Sequence, residues 1–464
     1  MRRRDFLRTL AVSVPLIGNL KLGDVSDRPP RPNIVFFYSD DQPLRAQGRV
    51  DPYFHTPNID RLSQEGVVFE NAFVTTSICC VSRTNLFTGQ HMARHGVPDF
   101  DTPLSTKQMG QTYSGLLRAA GYRTAFLGKF GIGHPRSAPS ELCLPEDQFD
   151  EWYGFIQGVS YSQEVDGEKR YVTSVMEEKA ISFMRETPKD QPFLLIMALP
   201  EPHGQVGPWN YRDPEFELEP PSAPPARPET MTEEARERLP AAILDSRNGV
   251  NLKNLEGKYD EYMATVRDYT ARTDLAVGRI RSALSELGGE DNTVVIFYSD
   301  NGSMWGAHGI AGKWNMYEES IRVPLAIYDP RLPESARGAR NQMALSIDLA
   351  PTMLAMAGVS IPDAMQGTDL SPILRDPKAK GRADWYYEHD VGSRAKGKPL
   401  PRCEGVRTES WKYIRYKNTD PVQEELFDLE ADPIEMNDLA ADAKYEVKLA
   451  ELRKRCDDYR TSVK

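Results

Sequence analysis

The sequence predicts an α/β domain with a largely parallel sheet, followed by a smaller C-terminal domain of short strands and one final helix. Three observations carry this. Apolar runs of strand length alternate with helical patterns through residues 29–375, as expected of strands joined by crossover helices. Two of those runs end in nearly the same way, in Tyr38-Ser39-Asp40-Asp41 and in Tyr298-Ser299-Asp300-Asn301. From about residue 376 onward the longer periods give way to short strands.

Residues 33–38 form the first apolar run, closed by Ser39-Asp40-Asp41-Gln42, and Thr56-Pro57 starts a short helix. Residues 114–120 are a helix stopped by Gly121, and residues 122–127 a strand. Residues 193–199 are another strand, entering Pro200-Glu201-Pro202-His203. Residues 205–250 are rich in proline and acidic groups and hold no period, so they read as an insertion, a surface excursion near the site mouth. Tyr262, Val266, Tyr269, Val277, Ile280, Leu284 and Leu287 recur mostly at spacings of three and four, which makes a long amphipathic helix ended by Gly288-Gly289. Strands follow at 293–298 and 324–327 and a helix at 347–357. The C-terminal domain, 376–464, contributes a strand at 411–416 and a helix at 443–459. Polar residues just past strand ends are where ligands gather in such folds.

A chain of 464 residues is long enough for one large core and a smaller domain. Its net charge of −11 argues against general nucleic-acid binding, but a locally basic pocket can still take an anion. The five cysteines make neither a disulfide framework nor a zinc spacing, and Cys403 and Cys456 are as well read free as paired. Residues 1–28 form a signal segment and linker: Arg3-Arg4-Asp5-Phe6-Leu7-Arg8 resembles the twin-arginine export signal, and the apolar run after it is too short to span a bilayer as a mature helix. The expectation is a bacterial periplasmic or secreted protein with no membrane span in the mature chain. No A-x-A cleavage site follows, so removal of the segment and an uncleaved anchor both stay open.

The chemistry is carried by Cys79-Cys80-Val81-Ser82-Arg83-Thr84-Asn85-Leu86-Phe87-Thr88-Gly89. Read by themselves, these cysteines also fit ordinary core positions. The stretch resembles the signature C-x-P-S-R-x-x-[LM]-[LMF]-T-G of the type I, formylglycine-dependent sulfatases of the alkaline-phosphatase superfamily, with Val81 in place of the proline. Arg83 and the Leu86-Phe87-Thr88-Gly89 run set the register on Cys79. The resemblance implies that Cys79 is oxidised to formylglycine (3-oxoalanine) by a maturation enzyme. A hydrated aldehyde carries two hydroxyls on one carbon, one to attack sulfur and one to expel sulfate, whereas a sulfated thiol has no such exit. Ser82 is placed to cap a helix whose N-terminus faces an anion.

Asp40, Asp41, Asp300 and Asn301 are oxygen donors suited to Ca²⁺, with Mg²⁺ as the alternative, and adjacent carboxylates need either solvent or a cation. By themselves such pairs also fit solvated loops. The same positions, together with residue 79, match the sulfatase metal site. Gly121-Tyr122-Arg123-Thr124-Ala125-Phe126-Leu127-Gly128-Lys129-Phe130 resembles the second signature of the family, G-Y-x-T-x-x-x-G-K-W-H, which implies that Lys129 neutralises sulfate; Gly131 stands where the family has histidine. His134 is the nearby substitute. Pro202-His203 matches the P-H motif of the family, whose histidine contacts sulfate or the leaving oxygen. The segment from Gly312 through Lys313 and Glu318 to Arg322-Val323-Pro324 resembles G-K-x-x-x-x-E-x-x-x-R-V-P, which makes Lys313 a second sulfate-binding lysine and proton donor. His308 is a weaker substrate-pocket candidate, and the acidic-aromatic stretch 384–390 a candidate sugar subsite.

The resemblance implies a mixed, mainly parallel sheet between helices and an antiparallel sheet in the C-terminal domain. The implied activity is hydrolysis of a sulfate ester, on a sulfated carbohydrate, to alcohol and inorganic sulfate. Two alternatives are a phosphonate or phosphate ester hydrolase of the same superfamily and a non-catalytic, metal-holding relative that binds sulfated glycans.

Overall fold

Strand β1 (Asn33–Ser39) is apolar along its whole length because it is covered on both faces. It was located in a computed structural model that describes residues 31–133, 144–156, 161–203, 211–391, 398–417 and 419–464. The expected signal segment, His134 and Cys143 lie outside these residues. The strands that follow are β2 (Val67–Phe69), β3 (Ala72–Phe73), β4 (Arg123–Lys129), β5 (Glu151–Phe155), β6 (Ser162–Val165), β7 (Glu168–Tyr171) and β8 (Phe193–Ala198). Next come β9 (Thr293–Ser299), β10 (Leu325–Tyr328), β11 (Gly338–Arg340) and β12 (Ala344–Leu345). An eight-stranded sheet has the order β11-β2-β10-β9-β1-β8-β4-β5. All its neighbours are parallel except β10, which runs antiparallel to both β9 and β2. The sheet is therefore mixed and mainly parallel, as expected.

Side chains alternate between its two faces. Ile34, Phe36 and Tyr38 meet the helices Cys79–Thr88, Tyr113–Ala119 and Leu349–Met356, whereas Val35 and Phe37 meet the helices Pro57–Glu65, Val172–Glu186 and Leu252–Glu286. The long helix begins at Leu252, well before Tyr262, and stops before Gly288, whose φ of 70° suits glycine.

The register of β1 on β9 positions the site. Tyr38 pairs with Tyr298 and Ser39 with Ser299, so the two matching strand ends lie side by side. Asp40–Asp41 and Asp300–Asn301 then leave the same edge of the sheet together.

The C-terminal strands β13 (Asp384–His389), β14 (Cys403–Thr408), β15 (Trp411–Tyr416) and β16 (Gln423–Asp428) form an antiparallel sheet in that order. Trp385, Tyr387, Ile414 and Phe427 join the main core from one face. Tyr386, Val406, Tyr413 and Leu426 pack under the helix Glu446–Ser462 from the other. Strand β13 therefore cannot serve as the open sugar subsite expected of residues 384–390: Trp385, Tyr386 and Tyr387 are all buried. Cys403 and Cys456 are free, buried thiols.

The insertion is only partly a surface excursion. Residues 211–229 run largely exposed, but the helices Glu233–Glu237 and Ala241–Leu244 follow, and Leu239, Ala242 and Ile243 enter the main core. Among the described residues no helix is long and apolar enough to cross a membrane.

Candidate active site

The helix Cys79–Thr88 starts at Cys79 itself, with extended Ile78 before it and Gly89 closing it at φ 64°. Ser82 is therefore inside the helix and is not its cap. Its hydroxyl donates instead to the Asp300 carbonyl, which ties the helix to the end of β9. The early start places the residue 79 side chain at the positive end of a ten-residue helix, beside amides with no helical partner. Val81, in the first turn, packs with Ile78, Cys80, Met92, Val391 and Leu400. The first turn asks no helical bond of that amide, so valine and proline both fit there.

Around the Cys79 Sγ the chain gathers three carboxylates and three cations. Lys313 Nζ donates to Sγ at 2.7 Å, and Sγ lies 3.3 Å from Asp40 Oδ1 and 3.8 Å from Asp41 Oδ1. Lys129 Nζ pairs with Asp40, and Lys313 Nζ with Asp41. Arg83 is wholly buried; its Nε donates to Asp300 Oδ2 at 2.7 Å, one Nη donates to the Lys129 carbonyl, and its guanidinium lies 4.9 Å from the centre of the Tyr38 ring. His203 Nε2 stands 3.6 Å from Asp41 Oδ2, on the half-open side of the site. Asn301 Nδ2 donates to Asp41 Oδ1 at 2.6 Å.

Electrostatics follow from this packing. Burial, with the Asp40 charge behind it, pushes the Cys79 thiol up to about 12 against the pull of Lys129 and Lys313. An unmodified cysteine here is thus a neutral thiol at neutral pH and a poor nucleophile. Burial opposes ionisation of Asp40, but Lys129, His203, Arg83 and Lys313 outweigh it and hold the carboxyl well below the usual range. At Asp300, burial and the Asp40 charge outweigh Arg83 and leave the carboxyl above its usual range.

The donor set suits a hard divalent cation. One ligand atom from each of Asp40, Asp41, Cys79 and Asp300 lies within 4.8 Å of the others, and Asn301 Oδ1 is buried with no hydrogen-bond partner among the described residues. Oxygen donors of this kind match Ca²⁺ or Mg²⁺ in chemistry.

The site candidates Asp40, Asp41, Cys79, Arg83, Lys129, His203, Asp300, Asn301 and Lys313 therefore meet in one place. His308 does not join their contacts. It is buried, stacks on Tyr317 at 4.6 Å between ring centres, and turns Nε2 toward Glu319 at 3.9 Å. Two supporting residues have a bracing role that the sequence does not signal. Asn248 lies in the aperiodic insertion and donates Nδ2 to the Ala311 carbonyl at 2.7 Å and the Lys313 carbonyl at 2.8 Å. Tyr387 OH donates to the Asn315 carbonyl and accepts the Ser77 amide, so the buried strand β13 braces both loops of the site.

The sulfatase family model matches residues 32–359, most of the chain. The chain belongs to the sulfatase family. A second model, N-sulphoglucosamine sulphohydrolase, C-terminal, matches residues 306–462 of this sulfatase. An N-acetylglucosamine-6-O-sulfatase of Bacteroides thetaiotaomicron is 30% identical over 498 residues, covering 91% of this chain and 85% of the relative. A structure solved in complex with its substrate D-glucosamine-2-N,6-O-disulfate superposes with a TM-score of 0.75 at 25% identity, covering 93% of this chain and 98% of the other. The phosphonate monoester hydrolase of Agrobacterium radiobacter shares the fold, with a TM-score of 0.74 at 22% identity over 94% of this chain and 96% of its own. The fold is thus alkaline-phosphatase-like, and the enzyme class is sulfuric ester hydrolase.

Proposed function

We propose that this sulfatase hydrolyses a sulfate ester on a sulfated carbohydrate, with residue 79 as formylglycine and a divalent cation held by Asp40, Asp41, Asp300 and Asn301. The observation that carries the reading is the meeting of Cys79 Sγ, Lys313 Nζ at 2.7 Å and Asp40 Oδ1 at 3.3 Å at a helix N-terminus. The Sγ stands in for an oxygen of the aldehyde hydrate. The sugar-active relatives support the substrate class.

The cation, when bound, supplies Lewis-acid charge to the sulfate and favours ionisation of the attacking hydroxyl. Lys129, Lys313 and Arg83 supply fixed positive charge where negative charge grows on the equatorial oxygens. They need no reorganisation, because Arg83 is locked by Asp300 and the Lys129 carbonyl, and the Lys313 backbone by Asn248. His203 or Lys313 gives the proton to the departing oxygen. His203 is the more open of the two, 36% exposed against 6% for Lys313.

The division into a twin-arginine-type segment (1–28), a catalytic part (29–375) and a C-terminal part (376–464) belongs to the same proposal, as does periplasmic or secreted localisation. The start of β13 at Asp384 supports the second boundary.

Two measurements test the reading. The peptide spanning residue 79, from protein made in a host with the maturation enzyme, should weigh less than its thiol form, and sulfate should be released from one or more of a panel of sulfated sugars. Cys79→Ala should abolish release with the fold intact. An unmodified thiol and an idle wild-type protein would sink the proposal in favour of a sulfated-glycan-binding role. Faster turnover of aryl phosphonate or phosphate than of aryl sulfate would favour the phosphonate hydrolase reading.

A further inference from the structure

We propose that Tyr161 is a positioning residue for His203, its hydroxyl holding the turn that aims the imidazole at the departing oxygen. The proposal deepens the sulfatase reading above and rests on it. Tyr161 lies outside every motif of the sequence, yet its hydroxyl donates to the His203 carbonyl at 2.7 Å.

No hydrogen bond sets the His203 ring. Nε2 stands 3.6 Å from Asp41 Oδ2, past hydrogen-bond length, and Nδ1 is buried with no hydrogen-bond partner among the described residues. A histidine that moves protons is ordinarily oriented by a bond at its second nitrogen. Here the orientation is left to the backbone, because the N, Cα and carbonyl carbon of a residue fix where its Cβ points, and only a few staggered rotamers then remain. On the side of β1 that backbone is well tied: Leu199 N donates to the Tyr38 carbonyl and Asp40 N to the Glu201 carbonyl, both at 2.9 Å. His203 N donates to the Pro200 carbonyl at a longer 3.3 Å. The far end of the turn is tied by Tyr161, whose hydroxyl reaches the Pro200 carbonyl at 3.1 Å as well as that of His203.

Tyr161 is itself held in place. It precedes β6, and its carbonyl accepts from Val172 N at 2.9 Å, at the base of the antiparallel pair β6 and β7. Its buried ring stacks with Tyr171 at 6.1 Å between centres and meets Tyr269 at 4.4 Å. Thr173, in the first turn of the helix Val172–Glu186, gives its hydroxyl to Glu201 at 2.5 Å, so the same element grips the turn a second time. Burial, and after it the Glu201 charge, holds the Tyr161 phenol well above its usual range, so the hydroxyl stays a donor.

The consequence is a dependence on the leaving group. As the S–O bond breaks, its electron pair stays on the departing oxygen, and the Nε2 proton of His203 moves onto that oxygen. A nitrophenolate leaves readily without the proton, whereas a phenolate or a sugar alkoxide needs it. A shift of about 1 Å in a reacting group can cost about a hundredfold. Loss of the Tyr161 hydroxyl frees the His203 carbonyl to turn, and the resulting displacement of the ring is felt where the proton is needed.

The test compares wild type, Tyr161→Phe, His203→Ala and the double variant on para-nitrophenyl sulfate, phenyl sulfate and a sulfated monosaccharide. Tyr161→Phe keeps the ring and its packing and removes only the hydroxyl. The ratio of kcat/KM on para-nitrophenyl sulfate to that on phenyl sulfate should rise about tenfold in Tyr161→Phe and about a hundredfold in His203→Ala. In the His203→Ala background the Tyr161 change should move the ratio no further. An unchanged ratio in Tyr161→Phe, whether the two rates fall together or not at all, overturns the positioning role and leaves the sulfatase reading intact. So does a rise that persists without His203, and so does an unchanged ratio in His203→Ala, which would make Lys313 the donor. Where only the sugar is turned over, kcat should fall about tenfold in Tyr161→Phe with KM held, and not at all in the His203→Ala background; a fall in that background overturns the proposal. Wild-type enzyme that releases no sulfate from any of the three overturns the sulfatase reading and this proposal with it.

Discussion

Gly131 replaces the histidine of the family signature, and restoring a side chain there should harm this enzyme. Gly131 has a φ of 67°, where an L-residue pays about 1–2 kcal/mol. A Cβ at this position would lie 3.0 Å from Arg83 Cδ, 3.4 Å from Arg83 Nε and 3.5 Å from Lys129 Cε. Arg83 has little room to retreat. Its Nε is 2.7 Å from Asp300, one Nη is bound to the Lys129 carbonyl, the other is 3.6 Å from Asp40, and Tyr38 lies across its face. A charge-assisted hydrogen bond is worth about 1.5–3 kcal/mol, and partial loss of the Asp300 bond adds about 1 kcal/mol to the strain. Gly131→Ala and Gly131→His should therefore each lose about 2–3 kcal/mol of stability. If the displaced guanidinium withdraws about 1.4 kcal/mol of transition-state stabilisation, turnover falls about tenfold. Denaturant midpoints and kcat on an aryl sulfate measure both effects. The two variants also separate the causes: backbone strain weighs more on alanine, since histidine enters the left-handed region more readily, whereas collision with Arg83 weighs more on histidine. Gly131→His with a wild-type midpoint and equal or faster turnover would refute the reasoning.

Three further outcomes are expected. In protein stripped of divalent cations, Lys129→Met leaves buried Asp40 with Arg83 as its near cation at 3.6 Å, and should cost about 3–5 kcal/mol by denaturation, with much of the loss recovered in Lys129→Met with Asp40→Asn. Chelation of divalent cations should lower both sulfate release and the thermal midpoint, with recovery on adding Ca²⁺; a ligand at a hundred times its Kd adds about 2.7 kcal/mol, and an unmoved midpoint would argue against a resident cation. Glu425 is pushed from 4.5 up to about 7 by burial, although the phenols of Tyr317 and Tyr416 donate to it and work the other way. The folded state thus holds a proton that the unfolded state releases, and stability falls as pH rises from about 4.5 to about 7, by about 3 kcal/mol in all. Glu425→Gln should flatten that fall in pH-dependent denaturation; an unchanged slope would place its source elsewhere.

The carboxylate-bearing half of the site was legible because of a property of parallel strands. Matching sequences at the ends of two strands become neighbours only if those strands pair in matching register, and Ser39 opposite Ser299 provides this. Central parallel strands are also unbroken apolar runs, so β1, β8 and β9 could be read without homologues. The local signals failed where tertiary contacts decide. The helix at Cys79 begins three residues before Ser82 because the Ser82 hydroxyl bonds the Asp300 carbonyl, a contact 218 residues away in sequence. The aromatic run in β13 resembles a sugar platform in sequence, yet it fills the junction between the two sheets.

The loop around Lys313 shows why the substrate side was harder to read. Trp305, His308 and Trp314 adopt positive φ among Gly306, Gly309 and Gly312, a conformation that no propensity favours for tryptophan. Such a path persists only where its surroundings impose it. Here Asn248 holds Ala311 and Lys313 from one side, and Phe54 and Arg45 hold Trp305 from the other. The motifs therefore single out Lys313, whereas the path of the loop that carries it is held by Asn248, which lies outside every motif.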